Sequence, residues 1–176
     1  MKYNTDQVIA ILSRTPATIR TLLSGLDDAW IYGNLGEDTF SPYDVVGHLI
    51  HGERTDWIPR AQIILEHGED KSFEPFDRFA QQTASERQSI GQLLDTFTEL
   101  RAQNVAILKQ LPLTDNNLDK RGVHPEFGSV TLRELLSTWA VHDLNHIMQI
   151  VRTMARQYDD NVGPWRKYLS ILRREQ

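Results

Sequence analysis

Between residues 6 and 26 the apolar positions Val8, Ile9, Leu12, Ile19, Leu22, Leu23 and Leu26 recur three and four apart, the spacing that gives a helix one buried stripe. Pro16 falls inside that stripe. A proline has no N–H to donate and crowds the preceding turn, so the pattern predicts a kink there, or a restart capped by Thr15. Residues 33–40 read as loop. Ser41-Pro42 then follows the N-cap and N1 pattern, with Asp44 near the positive end of the helix dipole, where capping already accounts for it. The second helix continues through Val45, Val46, Leu49, Trp57, Ile58, Ile63, Ile64 and Leu65, bends at Pro59 and stops near His67-Gly68.

Residues 69–84 mix charge with Phe73, Phe76 and Phe79, as expected of a connection that crosses one end of a bundle with its aromatics tucked in. A third helix is predicted over residues 85–111 from Ile90, Leu93, Leu94, Phe97, Leu100, Val105 and Leu108. Residues 112–130 carry turn chemistry at Asn116-Asn117, Arg121-Gly122 and His124-Pro125, and are too many for a tight link. Thr131 and Glu134 have capping-box spacing and open a fourth helix to about Tyr158. Gly163-Pro164 starts a short terminal helix through Leu172, with Trp165, Tyr168, Leu169 and Ile171 available for packing. The sequence shows no internal repeat and no period-two strand signal. The expected fold is therefore all-α: a four-helix bundle with a long crossover connection and a short extra C-terminal helix, forming one domain over residues 1–176.

Composition narrows the function. Hydrophobic residues at 40% and charged residues at 24% describe an ordinary folded chain rather than a disordered or membrane one. A net charge of -5 argues against nucleic acid as a partner, because polyanion binding needs clustered Lys and Arg. With no cysteine there is no disulfide, thiolate metal site or cysteine nucleophile. No signal-peptide pattern and no run of about 18 apolar residues are present, so the expected location is the cytoplasm, without membrane insertion.

The stripe of the fourth helix runs through Leu132, Leu135, Leu136 and Trp139 to Ile150 and Met154, and His142 and His146 interrupt it. Two histidines four apart lie only about 40° apart around a helix, one turn from each other, so both imidazoles can converge on one ion. Buried imidazoles need partners for their nitrogens, and a metal satisfies one on each ring. A third ligand has to come from another helix. His48, beside Leu49 on the second helix, is favoured, and His51 shares roughly that face as a rival. His67 and His124 adjoin Gly68 and Pro125 in turns and read as surface residues; Trp57 and Trp139 read as core.

Three stretches, SPYDVVGHLIHGE over 41–53, HPEFGSVTLRELL over 124–136 and WAVHDLNHIMQ over 139–149, resemble the DinB-like (DinB/YfiT) superfamily of metal-binding four-helix bundles. The resemblance implies that His48, His142 and His146 are the metal ligands and that His51 is a neighbour. It implies one divalent transition metal, zinc or nickel first, with iron and manganese also accepting imidazole. It also implies a small-molecule substrate and a reaction class, since members include enzymes that use low-molecular-weight thiols such as bacillithiol, mycothiol or glutathione. The expected function is thus a metal-dependent thiol S-transferase, with hydrolysis a lesser expectation; the alternative is a metal-stabilised stress or binding protein without turnover. Around that centre Glu53, Arg60 and Gln149 are candidates for holding substrate or water. The competing reading makes Glu53 and Arg60 exposed helix charges and Gln149 a hydrogen-bond partner of His146. A homodimer through exposed apolar helix faces is a further expectation. An enzyme requires an open cleft beside the metal; a non-catalytic protein would have that space filled by the 69–84 connection.

Overall fold

The computed structural model describes residues 2–36, 39–77 and 88–173. Helix α1 spans Thr5–Leu23, capped by Asn4, whose side chain accepts the Gln7 N–H at 3.0 Å. It is one continuous helix through Pro16, without the restart that was one of the two expectations there. Proline at 16 deprives the Leu12 carbonyl of its intrahelical donor, and Nη1 of Arg101 from another helix supplies a replacement at 2.9 Å. Thr15 does not cap; its hydroxyl donates back to the Ile11 carbonyl at 3.2 Å.

After a short helix α2 (Asp28–Tyr32), α3 occupies Pro42–Thr55 behind the capping box of Ser41 and Asp44. Helix α4 (Trp57–His67) follows after a break at Asp56, where the backbone turns to φ -104° and ψ -72°. The expected bend at Pro59 thus falls nearly one turn earlier. The physical reason is that a proline ring collides with the carbonyl four residues before it, here Thr55, and removes that carbonyl's donor. Gly68, at φ 58°, ends α4 as anticipated, its N–H reaching the Ile63 and Ile64 carbonyls.

From there the chain makes a single 3₁₀ turn (Gly68–Asp70), and the Phe73 N–H bonds the Val123 carbonyl at 2.9 Å. Phe73 is buried, as expected of a connection whose aromatics tuck in; Phe79 lies outside the described residues. Helix α5 covers Ile90–Leu108, capped by Ser89 and Gln92, so its described start is later than the expected residue 85; residues 85–87 lie outside the description.

The 112–130 connection holds a one-turn helix α6 (Asp115–Leu118) and, where the sequence shows only turn chemistry, an antiparallel hairpin. Strand β1 (Arg121–His124) pairs with β2 (Gly128–Thr131), from Arg121 opposite Thr131 to His124 opposite Gly128. Four residues per strand are too few for an alternation to stand out. Gly122 seats the hairpin, since a Cβ there would sit 2.7 Å from Ile64 Cγ1 and 3.0 Å from the Phe73 ring. Helix α7 (Leu132–Arg156) starts with the expected capping box of Thr131 and Glu134. The C-terminal segment forms two 3₁₀ turns, Gly163–Tyr168 and Ser170–Leu172, rather than an α-helix. Trp165 and Tyr168, expected to pack, are 68% and 73% exposed, and Leu172 is the residue that is buried.

Helices α1, α3, α5 and α7 form the bundle: α1 and α3 each pack against both α5 and α7. No described helix is long and apolar enough to cross a membrane. The core divides into two apolar clusters, one around Leu12, Trp57, Leu108 and Trp139 and the other around Ile19, Leu49, Phe97 and Ile150. On α1, α5 and α7 the chain passes from one cluster to the other at the level of a buried polar layer centred on Arg101, which is 1% exposed, and α3 ends at that level with α4 continuing into the first cluster. Besides Leu12 of α1, its guanidinium donates to both carboxylate oxygens of Asp143 on α7 and to Glu53 Oε1 on α3 at 2.8 Å. Glu53 also accepts from Asn104 Nδ2 at 3.0 Å and Trp139 Nε1 at 3.2 Å.

Removing one partner of a buried ion network leaves the others uncompensated, which typically costs about 3–5 kcal/mol. Arg101→Leu, which strands the carboxylates of Glu53 and Asp143, is expected to lower the unfolding free energy by about that much in urea titrations, whereas Leu100→Ala on the same helix should cost less.

Candidate metal centre

His48 enters the site from the middle of α3 and the pair His142 and His146 from successive turns of α7. Their Nε2 atoms converge: His48 to His142 at 3.2 Å and His146 to His142 at 3.0 Å. One ligand atom from each lies within 4.8 Å of the others, an arrangement that could hold a metal ion. Imidazole nitrogens each about 2.1 Å from one ion are about 3.0 Å apart at a right angle and about 3.4 Å apart at a tetrahedral one, so the separations fit a shared cation.

The protons fit as well. Nδ1 of His146 lies 2.8 Å from the amide oxygen of Gln149, one turn on, and bonding that oxygen puts the ring proton on Nδ1. Nε2 is then left with a lone pair aimed at the cluster. Burial pushes the His142 pKa down to about 2, with help from the neighbouring His146, His48 and Arg101. Burial also lowers His146, against the opposing pull of Gln149 and Asp143. Both rings are therefore neutral at pH 7, the form in which imidazole binds metal. Trp57 packs edge-on against His142 with centroids 5.0 Å apart, and Phe40 and Phe76 flank His48 at 5.8 and 5.2 Å.

Beneath the triad lies the Arg101 layer, with Asp143 adjacent in sequence to His142. Burial opposes the Arg101 charge, but the hydrogen bonds and charges of Asp143 and Glu53 outweigh it and hold the guanidinium protonated above its ordinary range. Two carboxylates and one guanidinium leave a net negative charge, which favours a cation in the neighbouring site.

Two clefts reach the triad, and His48 lines both. One, about 510 Å³, has His146, Asn145, Gln149 and Arg152 in its wall. The other, about 470 Å³, is bounded by His142, Asp56, Arg60, Phe76, His124 and Phe127. Phe76 of the 69–77 segment forms part of a wall there without filling the space. Within the second cleft Arg60 Nη2 lies 2.7 Å from Asp56 Oδ1 and donates to the Glu74 carbonyl at 3.2 Å. Burial raises the Asp56 pKa to about 6 in spite of Arg60, and lowers Arg60 in spite of Asp56.

The structure therefore brings His48, His142 and His146 together and leaves His51 outside, against Phe76 at 4.9 Å. Gln149 is the anticipated partner of His146, and Trp57 and Trp139 stack in the core with centroids 5.6 Å apart. The reading of Glu53 and Arg60 as exposed helix charges fails: they are 3% and 7% exposed, Glu53 within the ion layer and Arg60 at a cleft wall. His124 is not a simple surface residue, since it is half-buried and lines that cleft. Arg101, Asn104 and Asp143 were missed. A signal existed, because Arg101 falls in the apolar stripe of Leu94, Phe97, Val105 and Leu108.

The chain belongs to the DinB superfamily, whose sequence profile matches residues 11–150. Among solved structures it is similar in fold to YfiT from Bacillus subtilis, with a TM-score of 0.73 and 23% identity over 89% of either chain. YfiT is described as a probable metal-dependent hydrolase with an unusual four-helix bundle topology. A comparison with curated protein sequences finds no match.

A pH dependence follows for the metal-free protein. His142 titrates near pH 2 when folded and near 6.5 when unfolded, so between those values the unfolded chain binds the extra proton and stability falls as pH drops. Urea unfolding of metal-free protein is expected to lose up to about 1.4 kcal/mol per pH unit through this group below pH 6.5. His142→Phe should flatten that slope.

Proposed function

We propose that the protein is a metal-dependent enzyme acting on a small molecule, with one divalent transition metal, zinc or nickel first, held by Nε2 of His48, His142 and His146. The convergence of those three nitrogens at the floor of two clefts carries the reading. A metal held by three neutral imidazoles keeps coordination positions open and lowers the pKa of a thiol or water bound there, supplying a nucleophile at neutral pH without a protein cysteine. The residues do the remainder. Gln149 holds the His146 proton on Nδ1, the rings of Trp57 and Phe76 pack against His142 and His48, and the Arg101 layer fixes α3 against α7 so that the ligands stay in register.

The clefts favour transfer of a low-molecular-weight thiol to an electrophile. Each is large enough for a small molecule, and both share His48, so two substrates can approach one centre from different sides. Hydrolysis is the second reading, supported by the description of YfiT and needing only one organic substrate. A metal-stabilised binding protein without turnover is the remaining alternative, and it differs from both enzyme readings in predicting no turnover when metal is bound.

Elemental analysis of untagged protein is expected to find about one transition metal per chain, and none in His142→Ala/His146→Ala. Gln149→Leu, which removes the partner that fixes the His146 tautomer, should weaken metal affinity about 10- to 100-fold. Loaded protein given a thiol and an electrophilic acceptor should turn over and stop on chelation. Metal that only raises the melting temperature, with no thiol transfer or ester hydrolysis, would support the binding protein instead.

A further inference from the structure

The hairpin after α6 carries a feature that the metal site does not use. His124 ends β1, and its Nδ1 accepts the backbone N–H groups of Glu126 at 3.1 Å and Phe127 at 3.2 Å. A ring nitrogen that accepts has no proton, so the neutral imidazole must carry its proton on Nε2. The ring is held in place, stacked on Phe127 at 4.4 Å and 13° and edge-on to Phe73 at 6.2 Å. Among the described residues Nε2 has no hydrogen-bond partner. Burial and the nearby Arg60 charge keep the His124 pKa below its ordinary value, despite Glu126, so the ring is neutral at pH 7.

His124 thus carries one fixed N–H donor and lines a cleft that His142, Phe76 and Phe127 also line. The Arg60 charge in the same cleft is already matched by Asp56, and Glu126 adds a negative group to the lining. That environment suits a neutral acceptor better than a free anion. We infer that His124 is a substrate-binding residue whose Nε2–H donates to the carbonyl oxygen of a small planar amide, ester or ketone lodged in the cleft beside His142. The inference rests on the reading of the triad as a centre that meets a small molecule.

Benzamide is a suitable probe, titrated into zinc-supplemented protein and followed through the histidine side-chain ¹⁵N and ¹H resonances. His124 should show the Nε2–H tautomer before any addition, and that resonance should move as benzamide binds. His124→Asn places an acceptor oxygen where Nδ1 stood, preserving the turn, but has no atom at the Nε2 position; His124→Gln carries an amide N–H close to that position. The Asn variant should bind benzamide about tenfold more weakly, the worth of one hydrogen bond to a neutral group, and the Gln variant should recover much of the loss. Benzoate should bind no more tightly than benzamide. An Nδ1–H tautomer, no benzamide binding, or wild-type affinity in His124→Asn would overturn the inference. Metal content of the same samples reports separately on the triad: benzamide binding in a protein that holds no metal would uphold His124 and remove the metal centre.

Discussion

One guanidinium ties the bundle together. Arg101 reaches from α5 to the backbone of α1, to Glu53 of α3 and to Asp143 of α7, so the four long helices meet through a single side chain. The α1 contact exists because Pro16 leaves the Leu12 carbonyl without its own donor, which turns a local defect into a docking point. A buried ion layer contributes less to stability than well-packed hydrocarbon would, but it tolerates only one arrangement, since a slipped helix leaves a charge unpaired. Here that arrangement fixes α3 against α7, the two helices that carry the histidines. Glu53 follows His48 by five residues and Asp143 follows His142 directly, so the spacing of the triad depends on a layer that never touches the ligand nitrogens itself.

Electrostatics and protonation then point the same way. Burial keeps His142 and His146 neutral, Gln149 directs the lone pair of His146 toward the cluster, and the layer beneath has one more negative than positive charge. Each condition favours a cation over a proton at the point where the three Nε2 atoms meet. The two clefts differ in lining: amides and Arg152 beside His146, aromatic rings with a self-neutralised Arg60–Asp56 pair beside His142. Such asymmetry suits two chemically distinct molecules meeting at one centre.

Much of this was legible in the sequence because it is local. Helical stripes, the capping boxes at Ser41 and Thr131, the Gly68 stop and the four-residue spacing of His142 and His146 are short-range patterns with direct geometric meaning. His48 was favoured over His51 by its place beside Leu49, but both lie near one face of α3, and it took the family resemblance to set His51 aside. What stayed hidden is long-range or small. The break before α4 depends on where the Pro59 ring collides, and the hairpin is too short to show a period. The ion layer joins residues from distant helices, of which Arg101 stands out by falling in an apolar stripe, and the tautomer of His124 depends on two backbone N–H groups in a turn. The C-terminal aromatics misled because Trp165 and Tyr168 suggest packing that the short 3₁₀ turns do not provide.

The claim on which the account turns is that three imidazole nitrogens hold one ion while leaving positions open. X-ray absorption at the edge of the metal in untagged protein tests it most directly. The account predicts scattering from three imidazole nitrogens at about 2.0–2.1 Å, together with light-atom ligands that exchange when a small thiol is added. A shell closed by protein donors and indifferent to added thiol, or one with no imidazole contribution, would contradict it.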